Sequence, residues 1–88
     1  MKLKYNFVMN DVAGKKVAVA VGDDLIRFNG FIKMNDIGAY IFNMLKNDVT
    51  EEEIVASMQE EYEGVTLENL RNTVKEFISR LKESDVIE

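Results

Sequence analysis

The sequence predicts an α+β fold, with β-strands in the first third of the chain and helices in the remainder. Residues 17–21 read VAVAV, and this alternation of large and small side chains is typical of a strand. Apolar residues recur at helical spacing from 37 to 45, which indicates one apolar helical face. The short apolar run Phe31–Met34 leads directly into that helix through Asn35, so a single junction connects the sheet to the helical layer.

The first strands are predicted from composition and alternation. Residues 5–12 are rich in aromatic and β-branched side chains, and residues 17–21 place valines on one face and alanines on the other. Ala13-Gly14-Lys15 lies between these two segments and predicts a turn.

The segment Leu25–Phe28 allows two interpretations. It can pair with Phe31–Met34 across Asn29-Gly30, because Asn-Gly is the dipeptide most typical of a tight β-hairpin. It can instead cross irregularly from one strand to the next. We favour a short or imperfect pairing.

Three helices are predicted in the rest of the chain. The first runs from about Asp36 to Lys46 with Asn35 as its N-cap, because an amide oxygen accepts a hydrogen bond from the free N–H groups of a first turn. Thr50 and Glu53 have the spacing of a capping box that begins the second helix, and Thr66 caps the third. The apolar face of the first helix comprises Ile37, Tyr40, Ile41, Met44 and Leu45, and that of the third comprises Leu67, Leu70, Val74, Phe77, Ile78 and Leu81.

The composition excludes several classes of function. The 88 residues contain no Cys and no His, so disulfides, zinc-finger spacings and a Ser-His-Asp triad are excluded. There is neither a Gly-rich phosphate loop nor the ligand spacing of a calcium-binding loop, and we therefore expect no metal, no cofactor and no enzymatic activity. The chain shows neither an apolar run of membrane-spanning length nor a signal peptide, so we expect a cytoplasmic protein with no membrane partner.

Two capped helices joined by a short Gly-containing turn, next to a β-hairpin that would form a wing, suggest a winged-helix DNA-binding transcription regulator as one hypothesis. The charge disfavours it. The net charge is −5, distributed as +3 over residues 1–34 and −8 over residues 35–88. Residues 66–83 carry four basic and three acidic side chains, a weak excess for binding phosphate, so we expect no nucleic acid partner.

Homodimerisation would add stability to a domain of this size.

Four segments together carry a resemblance to a known family. They are Met34–Phe42 (MNDIGAYIF), the TEEEI start and the EEY end of the second helix, and the closing pattern from Phe77-Ile78 through Leu81 to Val86-Ile87. Their order and spacing resemble the PqqD family (coenzyme PQQ synthesis protein D), the recognition element for precursors of ribosomally made, modified peptides. The resemblance covers nearly the whole chain, although Met34 and Phe42 replace the leucine and tryptophan that are commonest in the family.

The resemblance implies a single domain over residues 1–88. Its fold is a winged helix-turn-helix, with a three-stranded antiparallel sheet in residues 1–34 and three helices in residues 35–88. It also implies a non-catalytic module that binds the leader of a precursor peptide and presents it to a modifying enzyme, often a radical SAM protein. In relatives the leader adds as a strand to the edge of the third strand, in a groove shared with the third helix. Transferred to this sequence, the peptide-binding residues are Phe31, Ile32, Lys33, Met34, Arg71, Lys75, Ile78, Ser79 and Lys82.

Overall fold

The computed structural model describes all 88 residues. In chain order the elements are β1 (Phe7–Val12), β2 (Lys15–Ala20), α1 (Asp24–Arg27), β3 (Phe31–Met34), α2 (Asp36–Met44), α3 (Glu51–Glu61) and α4 (Leu67–Glu83). The three strands form one antiparallel sheet in the order β1-β2-β3. The α+β class with a three-stranded sheet followed by three helices is confirmed, and α1 is an additional helical turn that the sequence did not predict.

The predicted turn between β1 and β2 is confirmed. Ala13 and Gly14 form a two-residue loop with positive φ angles of 51° and 80°. Such a loop matches the right-handed twist of the flanking strands. The alternation predicted for β2 is also present. Ala18 and Ala20 belong to the core cluster, whereas Val17 is buried outside that cluster and Val19 is half-buried.

The favoured pairing of Leu25–Phe28 with β3 is wrong. Asp24 begins the helical turn α1, and its carboxylate accepts a hydrogen bond from the Asn6 backbone N–H at 2.8 Å. The ring of Phe28 stacks on Tyr5 with centroids 6.2 Å apart. These contacts with the segment before β1 hold the chain away from β3, and Gly30 does not adopt a positive φ. The Asn-Gly dipeptide therefore forms no hairpin, and β3 pairs with β2 alone.

The junction between β3 and α2 is tightly packed. The Asn35 side-chain oxygen accepts a hydrogen bond from the Gly38 N–H at 2.8 Å, which confirms the predicted N-cap. A Cβ on Gly38 would lie 2.9 Å from Cε1 of Phe77 and 3.1 Å from Cβ of Met34. The absence of a side chain at this position is therefore what allows α2 to approach both β3 and α4.

The buried face of α2 differs in part from the predicted stripe. Ile41 and Leu45 are buried as expected, but Ile37 is 38% exposed and Phe42 is buried instead. The helix packs against both the sheet and the helical layer, so its buried surface is rotated and broader than a single stripe. The ring of Phe42 contacts Phe7 of β1 edge to face, with centroids 5.2 Å apart.

The two C-terminal helices begin where the sequence places them. The capping box is formed, since Thr50 N–H donates to Glu53 Oε1 at 3.0 Å and Glu53 N–H donates to Thr50 Oγ1 at 3.1 Å. Thr66 Oγ1 accepts from the Asn69 N–H at 3.1 Å. Their apolar faces join the sheet in one cluster of 19 buried residues. Leu67 is the exception to the predicted face of the last helix, since it lies in the first turn of α4 and is 38% exposed. No helix is long and apolar enough to cross a membrane.

We expect Asn35→Ala to destabilise the protein by about 1 kcal/mol, the usual loss when an N-cap hydrogen bond is removed. That loss corresponds to a decrease in Tm of roughly 4–8 °C for a chain of this size. Asn72→Ala is the control, because Asn72 is exposed on α4 and its side chain makes no hydrogen bond. Equal melting curves for the two variants would show that the Asn35 cap contributes nothing to stability.

We expect Gly38→Ala to destabilise the protein by about 1–2 kcal/mol, although alanine is the better helix former, because the added methyl group overpacks the contact with Phe77. Gly30→Ala is the matched control, since the nearest atom to its added Cβ is Cε2 of Phe28 at 4.0 Å. Chemical denaturation of both variants measures the difference. A Gly38 variant as stable as the wild type would show that α4 can move away without loss of packing.

Candidate functional site

The open edge of β3 is the most accessible backbone in the sheet. β2 is the central strand, so β1 and β3 are the two edges. An edge strand presents unpaired N–H and C=O groups to which another strand can add. In this protein α4 lies beside the β3 edge, which distinguishes it from the edge at β1.

The pairing pattern that begins at the hairpin loop shows which backbone groups of β3 face outward. A two-residue loop closes on a hydrogen-bonded pair, here Val12–Lys15, and hydrogen-bonded pairs then alternate along the ladder. Lys16 and Ala18 of β2 therefore direct their N–H and C=O groups away from β1. Their partners on β3 are Met34 and Ile32, respectively.

Phe31 and Lys33 consequently direct their backbone N–H and C=O groups to the open edge. Apart from the ladder, the backbone hydrogen bonds of the chain involve neither the Phe31 N–H nor the Lys33 N–H. The Lys33 carbonyl has a single partner from outside the sheet, the Arg80 guanidinium, whose Nη2 donates to it at 3.2 Å. This side-chain contact confirms independently that the Lys33 carbonyl points outward. Three of the four edge-facing groups remain available.

The side chains of β3 divide between the two faces of the sheet. Ile32 and Met34 are only 9% and 4% exposed and belong to the core. Phe31 is 60% exposed on the outer face, and the Lys33 ammonium lies 5.8 Å from the centroid of its ring. The predicted set 31–34 therefore contains two residues that support the strand and two that a ligand can reach.

An apolar row crosses the outer face of the sheet. The register places Val8, Val19 and Phe31 side by side, one from each strand. Val8 is 45% exposed. Antiparallel sheets with one open face usually turn polar side chains to solvent, so this row is an unusual surface that ends at the β3 edge.

On the face of the sheet that carries the helices, a groove lies beside β3 between the N-terminus of α2 and α4. Its cavity has a volume of about 280 Å³. The lining residues come from the β3–α2 junction, from α2 and from one face of α4: Asn35, Ile37, Gly38, Ile41, Thr73, Glu76, Phe77 and Arg80. The guanidinium of Arg80, one of these lining residues, lies 5.7 Å from the centroid of the Phe77 ring.

Most of the α4 positions predicted for the site lie on another side of the helix. Arg71 pairs with Glu52 of α3 at 3.6 Å, and Lys75 lines a hollow against the same helix. At about 100° per residue, Arg71, Lys75 and Lys82 lie 140° or more around the α4 axis from Arg80. Ile78 is buried in the core and Ser79 is exposed. The structure therefore brings Arg80, rather than the predicted basic stripe, to the β3 edge.

Sequence reasoning missed the α4 residues that border the groove on the β3 side. These residues are Thr73, Glu76, Phe77 and Arg80. One signal was available, because Gly38 follows the predicted N-cap within an otherwise apolar helix, and a glycine there indicates close approach by another element. The partner in that approach is Phe77, one turn before Arg80.

The chemistry of this site is that of hydrogen bonding and apolar contact. No group of three or more His, Cys, Asp or Glu side chains is arranged to hold a metal ion. Every buried side-chain nitrogen or oxygen has a hydrogen-bond partner. The groups that remain available are those of the strand edge, the apolar row and the groove.

Two solved structures have a similar fold. One is described as TbiB1 in complex with the TbiA(beta) leader peptide, with a TM-score of 0.76 and 19% identity, covering 100% of this chain and 95% of that chain. The other is lasso peptide synthetase B1 complexed with the leader peptide, with a TM-score of 0.70 and 18% identity, covering 97% of this chain and 93% of that chain. At these identities the likeness establishes the fold.

A comparison with curated proteins gives no match. The sequence model of one family, described as Coenzyme PQQ synthesis protein D (PqqD), matches residues 7–87. This match includes all the strands and helices of the structure. The chain therefore belongs to the PqqD family.

Proposed function

We propose that this protein is a non-catalytic peptide-binding module. It takes the leader segment of a ribosomally made precursor peptide as a fourth strand on β3 and presents the precursor to a modifying enzyme, such as a radical SAM protein. Membership of the PqqD family supports this proposal, as does a fold shared with two proteins whose structures contain leader peptides.

The observation that carries the proposal is the open edge of β3. The N–H groups of Phe31 and Lys33 face solvent with no acceptor in the chain. Native proteins usually protect such an edge by charge, by proline or by a covering segment. Here Lys33 is the one charged side chain on the strand and there is no proline. Strand addition would use these backbone groups and would gain affinity without depending on the peptide sequence.

The two surfaces beside β3 would supply the specificity. Successive side chains of an added strand point to opposite faces. One set would extend the apolar row that ends at Phe31, and the other set would point toward the α4 groove beside Phe77. Ile32 and Met34 would form the buried support beneath the strand, because both belong to the core.

The predicted basic stripe of α4 is proposed to act at longer range. Arg71, Lys75, Ser79 and Lys82 lie away from the β3 edge, but three of them are cations on a chain of net charge −5. A local positive surface raises the rate of encounter with an acidic peptide without direct contact. Ile78 would contribute by holding α4 in the core, where it is buried.

Backbone pairing at β3 can be tested by comparing Phe31→Pro with Phe31→Ala. Both variants remove the aromatic side chain, but proline also removes an edge-facing N–H while sparing the bonds to β2, and the first residue of a strand tolerates proline. The probe is the tightest peptide selected from a displayed random library on the wild-type protein. We expect Phe31→Pro to bind it roughly 3- to 10-fold more weakly than Phe31→Ala, the effect of one lost hydrogen bond.

Amide NMR of the wild-type protein with the same peptide locates the binding surface. The largest shifts are expected at the Phe31 and Lys33 amides, and smaller shifts at Ile32 and Met34, whose amides already bond to β2. Equal affinities of the two Phe31 variants, together with shifts confined to α3, would exclude strand addition on β3.

The long-range role of the basic stripe predicts a salt-dependent effect. The double variant Arg71→Glu with Lys75→Glu should bind an acidic selected peptide more weakly at low salt, mainly through a slower association rate, and this difference should shrink as salt is added. Stopped-flow measurements at two ionic strengths measure the effect. The fold should persist, since exposed charges contribute little to stability. Rates equal to those of the wild type at low salt would remove the stripe from the binding function.

A further inference from the structure

Arg80 is held at the β3 edge by two contacts. Its Nη2 donates to the Lys33 carbonyl at 3.2 Å, and its guanidinium carbon lies 5.7 Å from the centroid of the Phe77 ring. A guanidinium offers five N–H donors in a planar fork, which matches a carboxylate in two-point contact. One hydrogen bond to a carbonyl leaves most of these donors unused.

No carboxylate of the chain pairs with Arg80. The ion pairs of the structure involve the N-terminus, Lys4, Lys16, Arg27 and Arg71. Glu76 precedes Arg80 by one helical turn and lines the same groove, but it forms no ion pair with it. Of the three arginines in the chain, Arg27 and Arg71 each pair with a carboxylate, and Arg80 alone does not.

The group that Arg80 contacts is one that an added strand would need. The Lys33 carbonyl faces the open edge and would accept a hydrogen bond from a peptide N–H. A carbonyl oxygen has two lone pairs, so Arg80 can share this acceptor or give it up to the peptide. In either case the guanidinium remains beside the new strand with free donors.

The direction of the peptide side chains identifies which residue can reach Arg80. The side chain of the peptide residue opposite Lys33 points to the outer face of the sheet, as the Lys33 side chain does, whichever direction the peptide strand takes. The residues immediately before and after it therefore point toward the α4 side of the sheet. Arg80 approaches the strand edge from that side, together with Phe77.

We propose that Arg80 is a specificity-determining residue that selects an acidic side chain in the bound peptide. It caps the Lys33 carbonyl in the free protein and binds an Asp or Glu carboxylate once a peptide strand adds to β3. That carboxylate belongs to a residue adjacent to the one paired with Lys33. This inference rests on the proposed function, and it assigns the acid preference to direct contact with Arg80 rather than to the distant stripe at Arg71 and Lys75.

The test is a double-mutant cycle with peptides selected from a displayed random library on the wild-type protein. We expect these peptides to carry Asp or Glu at one position of the binding segment. Replacing that acid with its amide should weaken binding about tenfold, as for one charge-assisted hydrogen bond. Arg80→Gln should weaken binding of the acidic peptide by a similar factor and leave the amide peptide unaffected. Arg80→Glu should instead favour a peptide with Lys at that position.

Lys46→Gln is the matched control, because it removes one positive charge, as Arg80→Gln does, from an exposed side chain outside the groove and the basic stripe. It should retain the wild-type preference for the acid. If Arg80→Gln weakened the acidic and amide peptides equally, Arg80 would have only a structural role and the inference would be overturned. If no selected peptide shifted the amides of Phe31 and Lys33, the proposed function itself would fail. Peptides that bind at β3 without this coupling would overturn the inference alone.

Discussion

The junction between β3 and α2 is one residue long, and the geometry of the candidate site depends on it. Asn35 ends the strand and caps the helix through its hydrogen bond with the Gly38 N–H. Because Gly38 has no side chain, Phe77 of α4 packs directly against this first turn. Arg80 follows Phe77 by one helical turn, so the same contact brings its guanidinium to the Lys33 carbonyl. A local cap thus positions a side chain that is distant in sequence.

Two features of the fold leave the edge-facing backbone groups of Phe31 and Lys33 without a partner strand. The two-residue loop Ala13-Gly14 sets the alternation of hydrogen bonds, and this alternation directs the N–H and C=O groups of Phe31 and Lys33 outward. The helical turn α1 packs against β2 and the segment before β1 and does not pair with β3, so the β3 edge remains free for another strand.

Local patterns predicted those features of the fold that depend on neighbours in sequence. The caps Asn35, Thr50 and Thr66 are examples, because each bonds a backbone group three residues away. The Asn29-Gly30 signal failed because long-range contacts outweigh it, among them the hydrogen bond that the Asn6 N–H donates to the Asp24 carboxylate.

The helical period places Arg71 and Arg80 on opposite sides of α4, but it does not say which side meets β3. That orientation is fixed by the packing of Phe77 against Gly38, which no local pattern in the sequence specifies.

The distribution of charge adds to this geometry. Residues 35–88 carry −8, whereas residues 1–34 carry +3. An acidic peptide is repelled by most of the helical surface, and Lys33 and Arg80 are cations on the two sides of the β3 edge. Repulsion elsewhere disfavours wrong modes of binding as effectively as attraction favours the right one. In the proposed mode of binding, the acidic helical layer would contribute to selectivity without touching the peptide.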